Sequence, residues 1–450
     1  MTDEVSFDTE WQDGDGIAGA ELAATFASLR IRVHDDVVTR LLDRRAKTVR
    51  DFAYVPLYPL AEWLVANWWF LAYEFDNPDK DADPDFARRH ALRTNTDGYA
   101  FPGLVVVPSG GRTHVSWGGE PSPWTKIDFL ARGQASVSGN AFREACADFI
   151  DGVGRRLLAF GIHDTFLQDE WAAIRGADED EVSFCQTAAG LGWDPYELDD
   201  QERQQVSEVA DKLGPLRGEA VPVLDTSNPL KECSTIISSL EAAKATSLEL
   251  GHLGAVIRRR EASHGPPWDR GYDLARQLRA HLALDGEPIP TMASLARALD
   301  VDPRALQRAT RPLPTLEGLR LVDGVVSGED ANVSFGLQAR GAHGRRFLFC
   351  RALAEALASD GDALITQGRT ERQRSNRAFA AEFLAPSSGL QERVSHPVVG
   401  GDEVGELAEE FGVSTMVIKH QLENQGIALV AEALSATSAV DPLGHRGWVP

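Results

Sequence analysis

The sequence has few cysteines, and none of them is spaced for a paired role. Four cysteines occur in 450 residues, and each stands alone in a helix-like segment without CxxC spacing. They are Cys146, Cys185, Cys233 and Cys350. Isolated cysteines of this kind are typical of buried, apolar thiols in a reducing compartment. We therefore expect free thiols and a cytoplasmic protein.

A long uninterrupted apolar run is also missing. The most hydrophobic stretch, residues 55–75, is broken by Pro56, Pro59, Glu62, Asn67 and Glu74. A membrane-spanning helix needs about 20 predominantly apolar residues. The first ten residues are acidic and lack the apolar segment of a signal peptide. We therefore expect neither a membrane span nor a secretory leader.

Positive charge is scarce relative to negative charge. The chain has 45 Lys and Arg residues against 68 Asp and Glu residues, a formal net charge of -23. A surface of this sign repels nucleic-acid phosphates at long range. Non-specific nucleic-acid binding by the whole surface is therefore disfavoured, although a local basic patch remains compatible with this composition.

The length and the patterning predict several domains of the α+β class. Single hydrophobic cores rarely grow beyond about 250–300 residues, so 450 residues indicate two or three domains. Strand-like segments and an aromatic helix predict a mixed sheet and helix domain over residues 1–140. The sequence of residues 141–262 is typical of helices. We predict a further domain over residues 263–435 and a flexible tail over residues 436–450. The boundary near 263 depends on SHGPPWD, which begins at Ser263.

An aromatic helix is predicted in the first domain. Residues 56–75 read PLYPLAEWLVANWWFLAYEF, with apolar residues at helical spacing. Trp63, Trp68 and Trp69 offer stacking surfaces for nucleic-acid bases. Large aromatic side chains also contribute much of the buried area of a protein core. The core interpretation is favoured, and base stacking remains the alternative.

A second pattern predicts one long helix over residues 230–260. Its apolar seam repeats with a 4,3 spacing over about three heptads. The seam consists of Ile236, Leu240, Ala243, Ser247, Leu250, Gly254 and Ile257. Such a helix would pack on other helices of the chain or dimerise.

The segment that begins at Arg345 reads RRFLFCRALAEAL. It resembles the metal-binding helix of the ImmA/IrrE family of zinc-dependent endopeptidases, which reads roughly RFxxAHExxHAL. Arg346 and Phe347 match the family's Arg-Phe pair. The positions of the two metal-ligating histidines hold Arg351 and Glu355, and the position of the catalytic glutamate holds Ala352.

These three replacements remove the chemistry of an HExxH helix. Such a helix holds Zn²⁺ with two imidazoles one turn apart, and the glutamate acts as general base on the metal-bound water. Arg351 has no lone pair for a metal, and Ala352 has no acid or base group. Glu355 is expected to form an i,i+4 ion pair with Arg351. The resemblance therefore implies a zincin-like fold with a degenerate catalytic site.

The resemblance continues on both sides of this helix. A helix at 269–282, paired helices at 290–306 and a hairpin at 320–337 match the elements that precede it in the family. ERQRSNRAFAAEFLAP, from Glu371, is similar to the family's second helix, which supplies an acidic third ligand. Glu371 is nearest to that position. A site rebuilt from His343, Glu355, Glu371 and His396 is the alternative to a metal-free helix.

A helix-turn-helix pattern is predicted over residues 402–427. This segment contains six acidic residues and a single lysine, Lys419. Reading DNA needs a cationic second helix, so we predict a small packing element and no DNA contact.

Three functions follow from these patterns. The favoured one is a catalytically inactive ImmA/IrrE-like protein, or pseudoprotease, that binds a protein partner as a regulator or scaffold and needs no cofactor. The resemblance implies a bacterial setting such as phage defence, toxin–antitoxin pairing or stress response, with a helix-turn-helix regulator or a complex subunit as the partner. The alternatives are a zinc metallo-endopeptidase with non-standard ligands and a nucleic-acid-binding subunit of a larger complex that acts through the N-terminal domain.

Overall fold

A computed structural model describes residues 4–76, 84–92, 98–118, 126–253, 267–329, 332–358 and 361–431. The described chain mixes helices and strands, as the predicted α+β class requires. It divides into two compact units, Met1–Asp211 and Lys212–Pro450. Each unit has a hydrophobic core of its own. No helix in the described part of the chain is both long enough and apolar enough to cross a membrane.

The first unit alternates short strands with helices. Its described strands are β1 (Val5–Trp11), β2 (Phe26–Val33), β3 (Asp36–Val37), β4 (Leu41–Asp43), β5 (Thr48–Arg50), β6 (Ala53–Pro56), β7 (Leu104–Ser109), β8 (Arg112–Trp117), β9 (Ile127–Phe129) and β10 (Gly133–Ser138). Its described helices are α1 (Ala20–Ala24), α2 (Tyr58–Ala66), α3 (Trp68–Tyr73), α4 (Pro84–His90), α5 (Gly139–Ala159), α6 (Phe166–Gly176), α7 (Glu179–Gly190) and α8 (Asp200–Leu213).

Antiparallel pairing builds the sheets of the first unit. β1 pairs with β2 along its whole length, from Val5 opposite Val33 to Trp11 opposite Ala27. The far side of β2 pairs with β6 and β3. β10, β8 and β7 form a second sheet, and β5, β4 and β9 form a third. Alternate residues of β2 are buried, which is the period of two that a half-buried strand requires.

The predicted boundary at residue 140 lies inside this first unit. Helix α5 begins at Gly139 and packs against β1, where the rings of Phe149 and Phe7 lie 5.1 Å apart. The apolar face of α5 therefore completes the core of the N-terminal sheet, and the compact unit continues to Asp211.

The described part of the second unit is built from a four-stranded sheet, a two-stranded parallel sheet and a set of helices. Its described helices are α9 (Arg217–Ala220), α10 (Pro229–Ala243), α11 (Pro267–His281), α12 (Met292–Ala298), α13 (Pro303–Ala309), α14 (Ala342–Ala358), α15 (Glu371–Leu384), α16 (Ser387–Arg393), α17 (Gly401–Phe411) and α18 (Thr415–Asn424). Its described strands are β11 (Ser247–Glu249), β12 (Val322–Glu329), β13 (Asn332–Leu337), β14 (Gly361–Thr366), β15 (Val398–Val399) and β16 (Leu429–Val430).

The four-stranded sheet of the second unit has the order β11-β13-β12-β14, and α14 contacts β12, β13, β14 and α15. Helix α15 also packs closely on α11. A Cβ atom added at Gly271 of α11 would lie 2.1 Å from the carbonyl oxygen of Ser375. Glycine at this position therefore allows the two helix backbones to approach each other.

The predicted long helix over 230–260 is wrong beyond Ala243. α10 ends there, and Ser247–Glu249 forms β11, which pairs with β13. Leu248 and Leu250 are buried in the core. Strand pairing at the open edge of β13 outweighs the local helical spacing, because it buries these residues and satisfies the backbone at the same time. Residues 254–260, the predicted boundary at Ser263 and the predicted tail 436–450 lie outside the described residues.

The predicted C-terminal helix pair is present as α17 and α18. Gly412 ends α17 in the left-handed region, with φ 65°. Arg346 of α14 donates hydrogen bonds to the carbonyl oxygens of Gly412 and Pro290. Arg346 is buried, so its guanidinium ties the turn of this helix pair to the rest of the unit.

Candidate functional site

Helix α14 is buried on almost every side. Between Arg346 and Leu357, nearly all of its side chains are enclosed by the core. Three of them, Arg346, Arg351 and Glu355, are charged. Buried polar groups need hydrogen-bond partners, and buried charges need ionic ones. The partners of these three residues therefore determine what the helix can do.

Arg351 occupies the centre of a buried polar network. Its Nη1 atom lies 3.0 Å from Oδ2 of Asp323 in β12, and its Nη2 atom lies 2.9 Å from Oε1 of Gln373 in α15. Nη2 also donates to the carbonyl oxygen of Thr366 at the end of β14. Oxygen acceptors from three elements thus surround one guanidinium, whose side chain is 6% exposed.

Glu355 pairs with residues of α15 and not with Arg351, its predicted partner. Its carboxylate accepts hydrogen bonds from Arg372 and from the amide of Asn376, both in α15. The predicted i,i+4 ion pair between Arg351 and Glu355 is therefore replaced by two separate pairings. The charges of the two residues still act on each other at longer range.

Gln373 connects this network to the neighbouring backbone. Its Oε1 atom also accepts from the backbone N–H of Thr366 at 3.0 Å, and its Nε2 atom donates to the carbonyl oxygen of Leu364 at 2.8 Å. Nε2 also donates to Glu219 of α9 at 3.0 Å. One amide thereby joins α9, β14, α14 and α15. The residues of this Arg351 network are Glu219, Asp323, Arg351, Glu355, Thr366, Arg372, Gln373 and Asn376.

Burial sets the electrostatics of the Arg351 network. Desolvation lowers the pKa of the Arg351 guanidinium, and the charge of Asp323 opposes this shift. Desolvation raises the pKa of the Glu355 carboxyl, and Arg372 and Asn376 oppose it. Burial likewise raises the pKa of Glu219, while bonds from Gln373 and Thr370 oppose the rise. Each charge is therefore held by its partners against a strong tendency toward neutrality.

Ala352 lies in apolar surroundings. It is fully buried and belongs to the hydrophobic core of the second unit, with Phe349 and Leu353 beside it on the same helix. The position that was predicted to correspond to a catalytic glutamate thus carries a methyl group inside the core. No proton can be transferred there.

The residues do not fit a zinc ion. Glu371 is the first residue of α15, and its Oε2 atom lies 3.0 Å from Nη2 of Arg270. His343 and His396 are exposed. Among the described residues, no three His, Cys, Asp or Glu side chains gather in a way that could hold a metal ion. Zinc sites need three or four protein donors, and the described residues provide no such set around Glu355 and Glu371.

The predicted aromatic helix is divided at Asn67 into α2 and α3, and its tryptophans belong to the core or pack against it. Trp63 and Trp69 are only 3% and 6% exposed. Trp68 is half-buried and makes an edge contact with Trp171, with ring centroids 5.0 Å apart. Base stacking requires an open ring face, which Trp63 and Trp69 do not present. These residues therefore support the core interpretation.

Six members of the Arg351 network were not predicted from the sequence: Glu219, Asp323, Thr366, Arg372, Gln373 and Asn376. Asp323 had one visible signal, since it interrupts the apolar residues 321–326 of the predicted strand. Arg372 and Asn376 share i,i+4 spacing, which places both on one face of α15 opposite Glu355. Neither signal names a partner, because each bond joins residues that are distant in the sequence.

Comparisons of the chain with protein-family models, with curated proteins and with solved structures find no match. The interpretation of the site therefore depends on its own geometry. In that geometry, paired charges and amides fix α14 against α15 and the sheet.

Proposed function

We propose that this chain is a catalytically inactive ImmA/IrrE-like protein that acts by binding a protein partner as a regulator or scaffold. The observation that supports the proposal is the position of Arg351. Its guanidinium stands where the resemblance puts the first metal-ligating histidine, and it is bound by Asp323, Thr366 and Gln373.

A guanidinium in this position supplies charge without metal chemistry. It neutralises the surrounding oxygen acceptors much as a bound cation does, and it donates hydrogen bonds to them. It cannot accept a lone pair from water, so it cannot generate the nucleophile that a zinc centre provides. The arrangement therefore stabilises the fold and leaves hydrolysis without a catalyst.

The surroundings of Arg351 also support a binding role. A shallow cavity of about 420 Å³ is lined by the polar side chains of Glu317, Arg320, Gln338, Arg340 and Gln367. Two of them, Arg340 and Gln367, also bond to Asp323. The lining thus offers two guanidinium groups, two amides and one carboxylate as hydrogen-bonding groups. Such a surface suits recognition of a polypeptide. We propose a bacterial regulatory setting, such as phage defence, toxin–antitoxin pairing or stress response, in which the partner is a helix-turn-helix regulator or a complex subunit.

The test is affinity purification of the full-length protein from a bacterial lysate, followed by incubation of the purified partner with the protein and with zinc. We expect a partner that binds stoichiometrically and keeps its intact mass. The matched variant is Glu355→Gln, which keeps the size of the side chain. Cleavage of the partner that is lost in Glu355→Gln or Glu371→Gln would contradict the proposal and would indicate a metallopeptidase.

A further inference from the structure

Strand β1 is an edge strand whose outer side has no strand partner among the described residues. His34 donates its N–H to the carbonyl oxygen of Glu4, and Gln12 donates to that of Phe26. Because antiparallel strands alternate, the even-numbered residues of β1 bond to β2 and the odd-numbered residues point their N–H and C=O groups outward. Phe7 and Thr9 therefore present a ladder of backbone donors and acceptors.

A groove of about 690 Å³ runs between this edge and helix α5. Its floor is apolar and includes Val5, Phe7, Phe149 and Val153. Small residues on the facing side of α5, among them Ala145, leave the groove open. Strand β1 runs in the same direction as α5. At its beginning, the carboxylate of Glu4 accepts a hydrogen bond from the N–H of Ser138, just before α5. At its end, the ring of Trp11 lies beneath the guanidinium of Arg156 in α5.

The two ends of the groove carry opposite charge. Glu144 and Asp148 are exposed near the beginning of α5, and Arg155 is exposed two turns later. At 1.5 Å per residue, Arg155 lies about 10 Å from Asp148 and about 16 Å from Glu144 along the helix axis. In an extended chain, residues i and i+4 share a face and lie about 13 Å apart. An acidic and a basic residue at this spacing would match the charges of the groove.

We propose that this groove binds an extended segment of a partner protein that adds to β1 as a further antiparallel strand. The backbone of the segment bonds to the outward groups of β1, which is strand addition at a sheet edge. Because the strand runs antiparallel, its acidic residue comes first and meets Arg155, and its basic residue follows four positions later and meets Asp148 and Glu144. This inference deepens the proposed function and rests on it, since it names a second surface for the same partner, in addition to the cavity lined by Arg320 and Arg340.

The probe is a fluorescently labelled peptide, acetyl-Thr-Asp-Thr-Val-Thr-Lys-Thr-amide, titrated with the full-length protein in an anisotropy assay. We expect saturable binding, and binding about tenfold weaker for the peptide in which Asp and Lys exchange places, since two exposed charge pairs together contribute about 1.4 kcal/mol. The triple variant Glu144→Arg, Asp148→Arg, Arg155→Glu should reverse this preference. Equal binding of both peptides by the native protein would overturn the proposed orientation.

N-methylated probes test the backbone pairing separately from the charges. One probe is N-methylated at its odd-numbered residues and the other at its even-numbered residues. Only one of them should lose binding, because only one set of amides faces β1. Thr9→Pro removes an outward N–H and should abolish binding, whereas Thr9→Val should retain it. Circular dichroism checks that both variants fold. Equal binding of both N-methylated probes would overturn strand addition.

Two further results separate the remaining interpretations. A dimer that the triple charge variant dissociates in sedimentation would assign the groove to a second copy of the chain and overturn the proposal. If Thr9→Pro still captures the purified partner, the groove inference fails and the proposed function stands. If the full-length protein captures no partner at all, the proposed function itself fails.

Discussion

The carboxylate of Asp323 and the guanidinium of Arg351 lie 3.0 Å apart inside the second unit, one on β12 and the other on α14. Both side chains are almost completely enclosed. Strand and helix are thereby joined by a charge pair that water does not screen. Around this pair, α14 is fixed in the core of the second unit.

Removing the buried cation should destabilise the protein strongly. Arg351→Ala leaves Asp323 with one fewer ionic partner in the interior, and breaking such a pair costs about 3–5 kcal/mol. Arg340→Ala is the matched control, since Arg340 binds the other oxygen of Asp323 but its side chain is 41% exposed. Exposed pairs contribute about 0–1 kcal/mol. Urea denaturation measures both changes, and equal losses would contradict the central position of Arg351.

The Glu355 carboxyl should make stability depend on pH. Its pKa is raised above 4.5, mainly by desolvation. A carboxyl of this kind contributes stability that is fully present below its unfolded pKa and is lost as the pH rises through its folded pKa. Glu355→Gln removes this dependence. The free energy of unfolding of the native protein minus that of the variant should therefore fall as the pH rises above 4.5, and a difference that stays constant would contradict the pKa shift.

A glutamate should not be tolerated at position 352. Ala352→Glu places a carboxyl group in the apolar core, where an unpaired charge costs about 3 kcal/mol or more. Ala358→Glu is the control, because Ala358 is an exposed residue of the same helix. That change should alter the free energy of unfolding by about 0.5 kcal/mol at most. If thermal melting finds both variants equally stable, position 352 faces an open cavity.

Substitution by alanine should change the stability in opposite directions at Gly405, inside α17, and at Gly412, at the end of α17. Gly412→Ala puts a side chain in the left-handed region, which costs about 1–2 kcal/mol, and its Cβ atom would lie 2.5 Å from both Nη2 of Arg346 and the carbonyl oxygen of Pro290. Gly405→Ala, in the helix interior with open space around it, should stabilise by about 0.5–1 kcal/mol. Chemical denaturation measures the free energy of unfolding of both variants. A Gly412→Ala variant more stable than the native protein would refute the close approach of Arg346.

The elements near the site could be predicted because their motifs are local. The resemblance predicted helices in the segments that begin at Arg345 and Glu371, and α14 and α15 cover these segments. Helical spacing gave a wrong prediction at Ser247, where the structure has strand β11 and not a helix. β11 forms by pairing with Val333 and its neighbours, which lie far away in the sequence. Helical spacing carries no information about an open strand edge elsewhere.

The pairing inside the Arg351 network could not be predicted for a similar reason. Arg351 and Glu355 are neighbours on one helix, so a local rule pairs them. In the folded chain, Asp323 and Gln373 come from other elements and surround the guanidinium, and Arg372 binds Glu355. Only tertiary structure brings these groups together. The residue types alone could indicate only that Arg351 and Ala352 bring neither an imidazole nor a general base to this helix.

The zinc content of the full-length protein, expressed in zinc-supplemented medium and measured by elemental analysis, tests the central claim most directly. Because a guanidinium fills the position that the resemblance assigns to a metal ligand, we predict only background zinc, equal in the native protein and in Glu371→Ala. One zinc ion per chain that disappears in Glu355→Ala or Glu371→Ala would contradict the account.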